Sequence, residues 1–158
     1  MPSYCARMPF KQWDDTRRAL VHALEQLVDG EFLILGEPVP HPEPRRGLLR
    51  RSRPAPTRYV QVLRIGDVLT TECVGATSLG GSWEMDPVTI DNLRSLGWLT
   101  PKEGMTAYGN STPNFEQYVE RVDLPALTDL LMASLELLGA LPTDLELTSS
   151  GSAIRASG

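Results

Sequence analysis

Two histidines and two cysteines are the chain's best candidates for bases, nucleophiles and soft metal ligands, and the four are scattered. His22 falls on the polar side of a helical segment and His41 in a proline-rich loop, so both read as solvated surface. Cys5 and Cys73 lack the close spacing with each other or with histidine that a zinc site needs. Cys73 lies in an apolar, strand-like run, where a buried free thiol is expected. So low a cysteine count suits a reducing compartment. "GATSLGG" and "GGSWE" do not have the G-x-S-x-G spacing of a nucleophile elbow. "SLGGS" lacks the lysine of a phosphate loop, and no G-x-G-x-x-G opens a helix. Asp14-Asp15 and Asp144/Glu146 are carboxylate pairs that helix capping and solvation explain. The expectation is a protein without catalytic, cofactor-binding or metal-binding residues, not an enzyme.

One charged cluster stands out. Arg45, Arg46, Arg50, Arg51, Arg53 and Arg58 put six cations into a stretch that holds no acid, within a chain of net charge −5. A basic patch of this density can bind phosphate backbones. The rest of the chain is acidic and no aromatic residue is interleaved, which argues against nucleic acid. A solvated loop or a tether for an acidic partner is the alternative. Leu48-Leu49, between arginine pairs, could form a docking turn.

The segments around these residues follow from periodicity. The 158 residues, 41% hydrophobic, suit one globular domain. We place it at 1–147, with 148–158 as a flexible tail. From Phe10 to Val28 the residues Phe10, Trp13, Leu20, Val21, Leu24, Leu27 and Val28 share a helical stripe. Arg17 intrudes on it and is expected to snorkel to water. Asp14 or Asp15 could cap the start, and Asp29-Gly30 supplies a stop. "EFLILG" reads as a strand. Glu37 to Thr57 holds six of the 13 prolines and reads as a long loop.

"RYVQVLRIGDVLTTECVG" is a hairpin turning at Gly66-Asp67, a type II′ turn that pairs Ile65 with Val68 and Val60 with Cys73. One face then carries Tyr59, Gln61, Leu63, Ile65, Val68, Thr70, Glu72 and Val74. The other carries Val60, Val62, Leu69, Thr71 and Cys73, with Arg58 and Arg64. Both are substantially apolar, so a covering element or partner is expected on part of each.

A helix begins at Asp86 with Pro87 in its first turn and ends at Leu96-Gly97-Trp98. Gly97 supplies the left-handed residue, and Trp98 folds back as a hydrophobic lid. "NFEQYVERV" alternates and reads as a strand set by Phe115. Asp123 caps a leucine-rich helix carrying Leu127, Leu130, Leu131, Leu135, Leu137 and Leu138, with Ser134 as a small residue in its arc. An apolar arc this wide implies deep burial or a homodimer. "DLELTS" reads as a closing edge strand. The order predicts an α+β fold with an antiparallel sheet.

Three of these pieces together carry a family likeness: "RYVQVLRIGDVLTTECVG", then "LRSLGWLTP", then "PNFEQYV" with the leucine-rich helix and "LPTDLEL". The chain resembles the TY-Chap group of small actinobacterial proteins, similar to YbjN and to type III secretion chaperones. The arginine-rich loop interrupts the pattern as an insertion. The resemblance implies a chaperone-like curved antiparallel sheet packed by about three helices. It also implies an adaptor role with a protein or peptide client rather than catalysis. The partner-binding candidates are Arg45, Arg46, Arg50, Arg51, Arg53, Tyr59, Leu63 and Ile65; Gly66, Gly97, Trp98 and Phe115 are structural. A regulatory or nucleic-acid binder using the arginines, or an enzyme with an unrecognised site, are the alternatives. The N-terminus has no apolar core of signal-peptide length and no run is long enough to span a bilayer. A cytoplasmic protein without membrane insertion is expected.

Overall fold

The computed structural model describes residues 4–6, 10–38, 57–81, 83–101, 113–120 and 123–151. The elements run β1 (Tyr4–Ala6), α1 (Trp13–Gln26), β2 (Phe32–Gly36), β3 (Tyr59–Ile65), β4 (Val68–Cys73), α2 (Pro87–Ser95), β5 (Phe115–Glu120), α3 (Leu124–Leu137) and β6 (Glu146–Ser149). The six strands form one antiparallel sheet in the order β1-β6-β2-β3-β4-β5. Three differences from the sequence reading appear here. Residues 4–6 form a strand that the sequence did not announce. They pair with β6, which is therefore interior rather than an edge. Thr148 and Ser149 belong to β6 and Ser150 donates its N–H to the Phe32 carbonyl, so 148–150 are held by the sheet rather than starting a tail.

The hairpin register matches expectation, with Ile65 opposite Val68 and Val60 opposite Cys73. Gly66 has φ +60°, and no described non-glycine residue, Asp67 included, has positive φ, so the turn stays in the II′ class. Asp29 fixes it further by accepting the Gly66 N–H at 2.7 Å.

Alternation sends Leu33, Leu35, Val60, Val62, Leu69, Cys73, Phe115 and Leu147 to one face, all fully buried. The helices pack there. Leu20, Ala23 and Leu24 of α1 and Leu127, Leu131 and Leu135 of α3 complete the same core. Each fully buried leucine stabilises by roughly 1.5–3 kcal/mol. The wide arc of α3 is filled within the chain, because α1, α2 and β3 all pack against this helix. Packing within the chain thus buries the centre of the arc, while Leu124, Leu130 and Leu137 stay half-buried.

Helix ends show which polar groups close the layers. Asp86 accepts the Thr89 N–H at 2.7 Å and Asp123 accepts that of Ala126, as their N-cap positions require. In α1 the N-cap is Gln12, not Asp14 or Asp15. Asp15 reaches back to accept the Gln12 N–H at 3.3 Å. Helix α1 stops at Gln26, so Val28 leaves the stripe and is 47% exposed. Arg17 does not simply snorkel; it pairs with Asp129 on α3. His22 is half-buried, and its Nε2 is shut off from solvent with no hydrogen-bond partner among the described residues, contrary to the solvated reading. His41 lies outside the described residues.

At the C-terminus of α2 the Gly97 N–H bonds the Arg94 carbonyl and the Trp98 N–H bonds that of Leu93, the two bonds of a Schellman motif. Gly97 has φ +103°. Trp98 is 2% exposed, as a lid should be. The last turns of α1 and α3 hold no basic residue. Strand β3 and its approach supply the missing charge. Arg64 donates to the Leu27 carbonyl at 2.7 Å, and Arg58 to that of Leu138 at 2.7 Å. Each guanidinium sits where the helix dipole favours a cation.

Candidate functional site

The second sheet face is built by the same alternation in the opposite phase. The strand registers arrange its residues in rows across the sheet. Ile65, Val68 and Glu120 form one row, and Phe32, Leu63, Thr70 and Tyr118 the next. Thr148, Ile34, Gln61, Glu72 and Glu116 form a third, and Glu146, Gly36 and Tyr59 a fourth. Among the described residues no helix packs on this face. Ile65 is 59% exposed and Val68 41%, while Phe32, Ile34 and Leu63 are half-buried. Among the described residues an apolar strip runs over β2, β3 and the hairpin end, and Val74, Asn114 and Glu116 on the same face are buried, in line with the expected partial cover. Large contiguous exposed apolar patches mark interaction surfaces on soluble proteins; here Ile65 and Val68 are exposed and Phe32, Ile34 and Leu63 half-buried.

Beside the strip lies a polar network centred on Asn114. Its Oδ1 accepts the Gly75 N–H at 3.1 Å. Its Nδ2 donates to the Tyr59 hydroxyl at 3.0 Å and to Glu72 Oε2 at 3.1 Å. Burial pushes the Tyr59 phenol above its ordinary pKa, and the nearby Glu72 carboxylate adds to the rise, while the Asn114 bond works against it. The Tyr118 hydroxyl donates to Glu116 Oε2 at 2.8 Å. This network fixes the corner where β3, β4 and β5 meet, and so fixes the strip's border.

Tyr59, Leu63 and Ile65 come together on this face. Arg45, Arg46, Arg50, Arg51 and Arg53 lie outside the described residues, as do Leu48 and Leu49. Arg58, counted with them in the sequence, is a structural residue. Besides the Leu138 carbonyl it pairs with Glu37 at 2.9 Å and stacks on Trp83, 4.6 Å from the ring centre. Gly66, Gly97, Trp98 and Phe115 hold the structural positions described, Phe115 being fully buried. Sequence reasoning missed Phe32, Ile34 and Asn114. Alternation within "EFLILG" contained the signal for the first two. Asn114 carried none, because Tyr59, Glu72 and Gly75 lie 39 to 55 residues away in the sequence.

The rest of the chemistry is sparse. Among the described residues no group of histidine, cysteine and acidic side chains could hold a metal ion. Cys73 is a free thiol, and burial pushes its pKa up to about 12, which keeps it protonated and unreactive. Among the described residues no helix is long and apolar enough to cross a membrane.

The described residues form an antiparallel sheet with helices on one face, the α+β class expected of a chaperone-like fold. The model of the family TY-Chap3, described as the T3SS (YopN, CesT) and YbjN peptide-binding chaperone 3, matches residues 8–153, and the chain belongs to that family. No curated protein and no solved structure matches the chain.

Proposed function

We propose that this chain is a non-enzymatic chaperone that captures an apolar segment of a client protein on the open sheet face. The observation that carries it is the strip Phe32, Ile34, Leu63, Ile65 and Val68, exposed or half-exposed on rigid strands. Strands hold such side chains in fixed positions at little entropic cost on binding. The family's peptide-binding character supports the same reading. If a second copy used this face, homodimerisation and client capture would compete for one surface.

Suppression of the aggregation of reduced insulin B chain tests the proposal. The variant Leu63→Glu/Ile65→Glu should lose suppression while its thermal midpoint stays within a few degrees, since neither side chain is buried. Full suppression by this folded variant would remove the face from the function.

A further inference from the structure

A polar island stands at the centre of the open face. Gln61 on β3 lies directly opposite Glu72 on β4 in one direction and Ile34 on β2 in the other. Thr70 is two residues from Glu72 on the same side of β4, one row nearer the hairpin turn and opposite Leu63. All three polar residues are half-buried. Two amides on this face contrast sharply. Asn114 uses its whole amide within the chain, on Gly75, Tyr59 and Glu72. Among the described residues the Gln61 amide and the Thr70 hydroxyl make no hydrogen bond, and Glu72 bonds Asn114 through one carboxylate oxygen. Among the described residues the buried side-chain polar atom without a partner is Nε2 of His22 on α1, so the unpaired groups of Gln61 and Thr70 keep contact with water.

That water has to leave when a segment covers the face. Side chains two residues apart on a strand are about 6.7 Å from each other, and the same spacing holds in an extended segment laid along β3. Such a segment meets Gln61, Leu63 and Ile65 with its residues i, i+2 and i+4. A leucine at i would strip the water from Gln61 and from the second oxygen of Glu72 and put no hydrogen bond in its place. An asparagine or glutamine at i replaces what it displaces. Its amide N–H groups donate to Glu72 and to the Gln61 carbonyl, and its own carbonyl accepts from the Gln61 amide. Polar groups left dry and unpaired are what make a site reject a ligand that lacks the matching group.

We propose that Gln61 is a specificity-determining residue: the face takes an extended client segment with an asparagine or glutamine over Gln61 and Glu72, and apolar residues two and four positions on over Leu63 and Ile65. This rests on the reading of the face as the capture surface and adds the pattern that it selects.

Fluorescence polarisation of the full chain with three labelled nine-residue peptides tests the inference. Each carries leucine at i+2 and i+4 and serine at the intervening positions; position i is glutamine, leucine or lysine. The glutamine peptide should bind about tenfold tighter than the leucine peptide, the scale of one hydrogen-bonding group left unpaired. Gln61→Leu should remove that margin, and Gln61→Val, β-branched and suited to a strand, serves if the first variant fails to fold. Equal or reversed binding of these two peptides, lost together in Leu63→Glu/Ile65→Glu, would overturn the inference and leave the capture surface standing. A margin that both Gln61 variants preserve would also overturn it. Tightest binding by the lysine peptide would make Glu72 a cation site and overturn the choice of a neutral amide. Binding of none of the three, or binding untouched by Leu63→Glu/Ile65→Glu, would remove the capture reading and the inference together.

Discussion

The indole N–H of Trp98 donates to the Ser134 hydroxyl across 2.8 Å, joining the residue that follows α2 to the middle of α3. The hydroxyl in turn donates to the Leu130 carbonyl at 2.6 Å. Both side chains are buried, so neither polar atom has water as a substitute. Ser134 is small enough to let the ring approach and polar enough to satisfy it. Trp98→Ala should destabilise by roughly 3–5 kcal/mol in urea unfolding. Ser134→Ala should cost about 1–3 kcal/mol, because the indole N–H is left unsatisfied. The double variant should cost less than the sum, with the shortfall measuring the bond.

Arg58 should not tolerate lysine. Its guanidinium bonds the Leu138 carbonyl and Glu37 at once and stacks on Trp83. An ammonium cannot reproduce that fork and plane. Arg58→Lys should lower stability by about 1–2 kcal/mol, the scale of hydrogen bonds involving charge at a partly exposed site. Tryptophan emission in a Trp13→Phe background, where only Trp83 and the buried Trp98 remain, should shift as the stack on Trp83 is lost. No change in either quantity would mean that the helix end is closed by other groups.

Residues 39–56 should be dispensable for folding. Their two ends are clasped where β2 meets β3: the Glu37 N–H bonds the Arg58 carbonyl at 2.9 Å, and Gly36 pairs with Tyr59. Replacing 39–56 by a short Gly/Ser turn should leave the thermal midpoint within a few degrees, since long loops cost little to close or remove. It should weaken any acidic partner, because Arg45, Arg46, Arg50, Arg51 and Arg53 go with it. Loss of folding would make Leu48 and Leu49 core residues.

The Asp86 cap should be pH-dependent in a definite direction. The Thr89 N–H, then the Thr89 side chain, hold its carboxyl below the ordinary value. A lowered folded pKa stabilises above the unfolded value of about 3.9 and is lost as pH falls through the folded value. The stability difference between the native chain and Asp86→Asn should therefore be constant near neutrality and shrink from about pH 4 downward. A difference unchanged at pH 2.5 would show that the charge contributes nothing to the cap.

Local features were legible in the sequence because their causes are local. Gly66-Asp67 set the hairpin register through its own backbone preference. Asp86-Pro87 and Gly97 fixed the ends of α2 through bonds spanning a few residues. The period-2 pattern assigned Val60, Val62, Leu69 and Cys73 to one face and Leu63 and Ile65 to the other. What the pattern could not say was which face would be covered, since both are apolar. Only the tertiary structure decided this: among the described residues α1 and α3 stack against one side, and Phe32, Ile34, Leu63, Ile65 and Val68 stand on the other. It also inserted β6 between β1 and β2, a pairing of distant segments that no local signal encodes. And it turned Arg58 and Arg64 to the helix ends, because carbonyls left unpaired at Leu138 and Leu27 attract a cation more strongly than open solvent does.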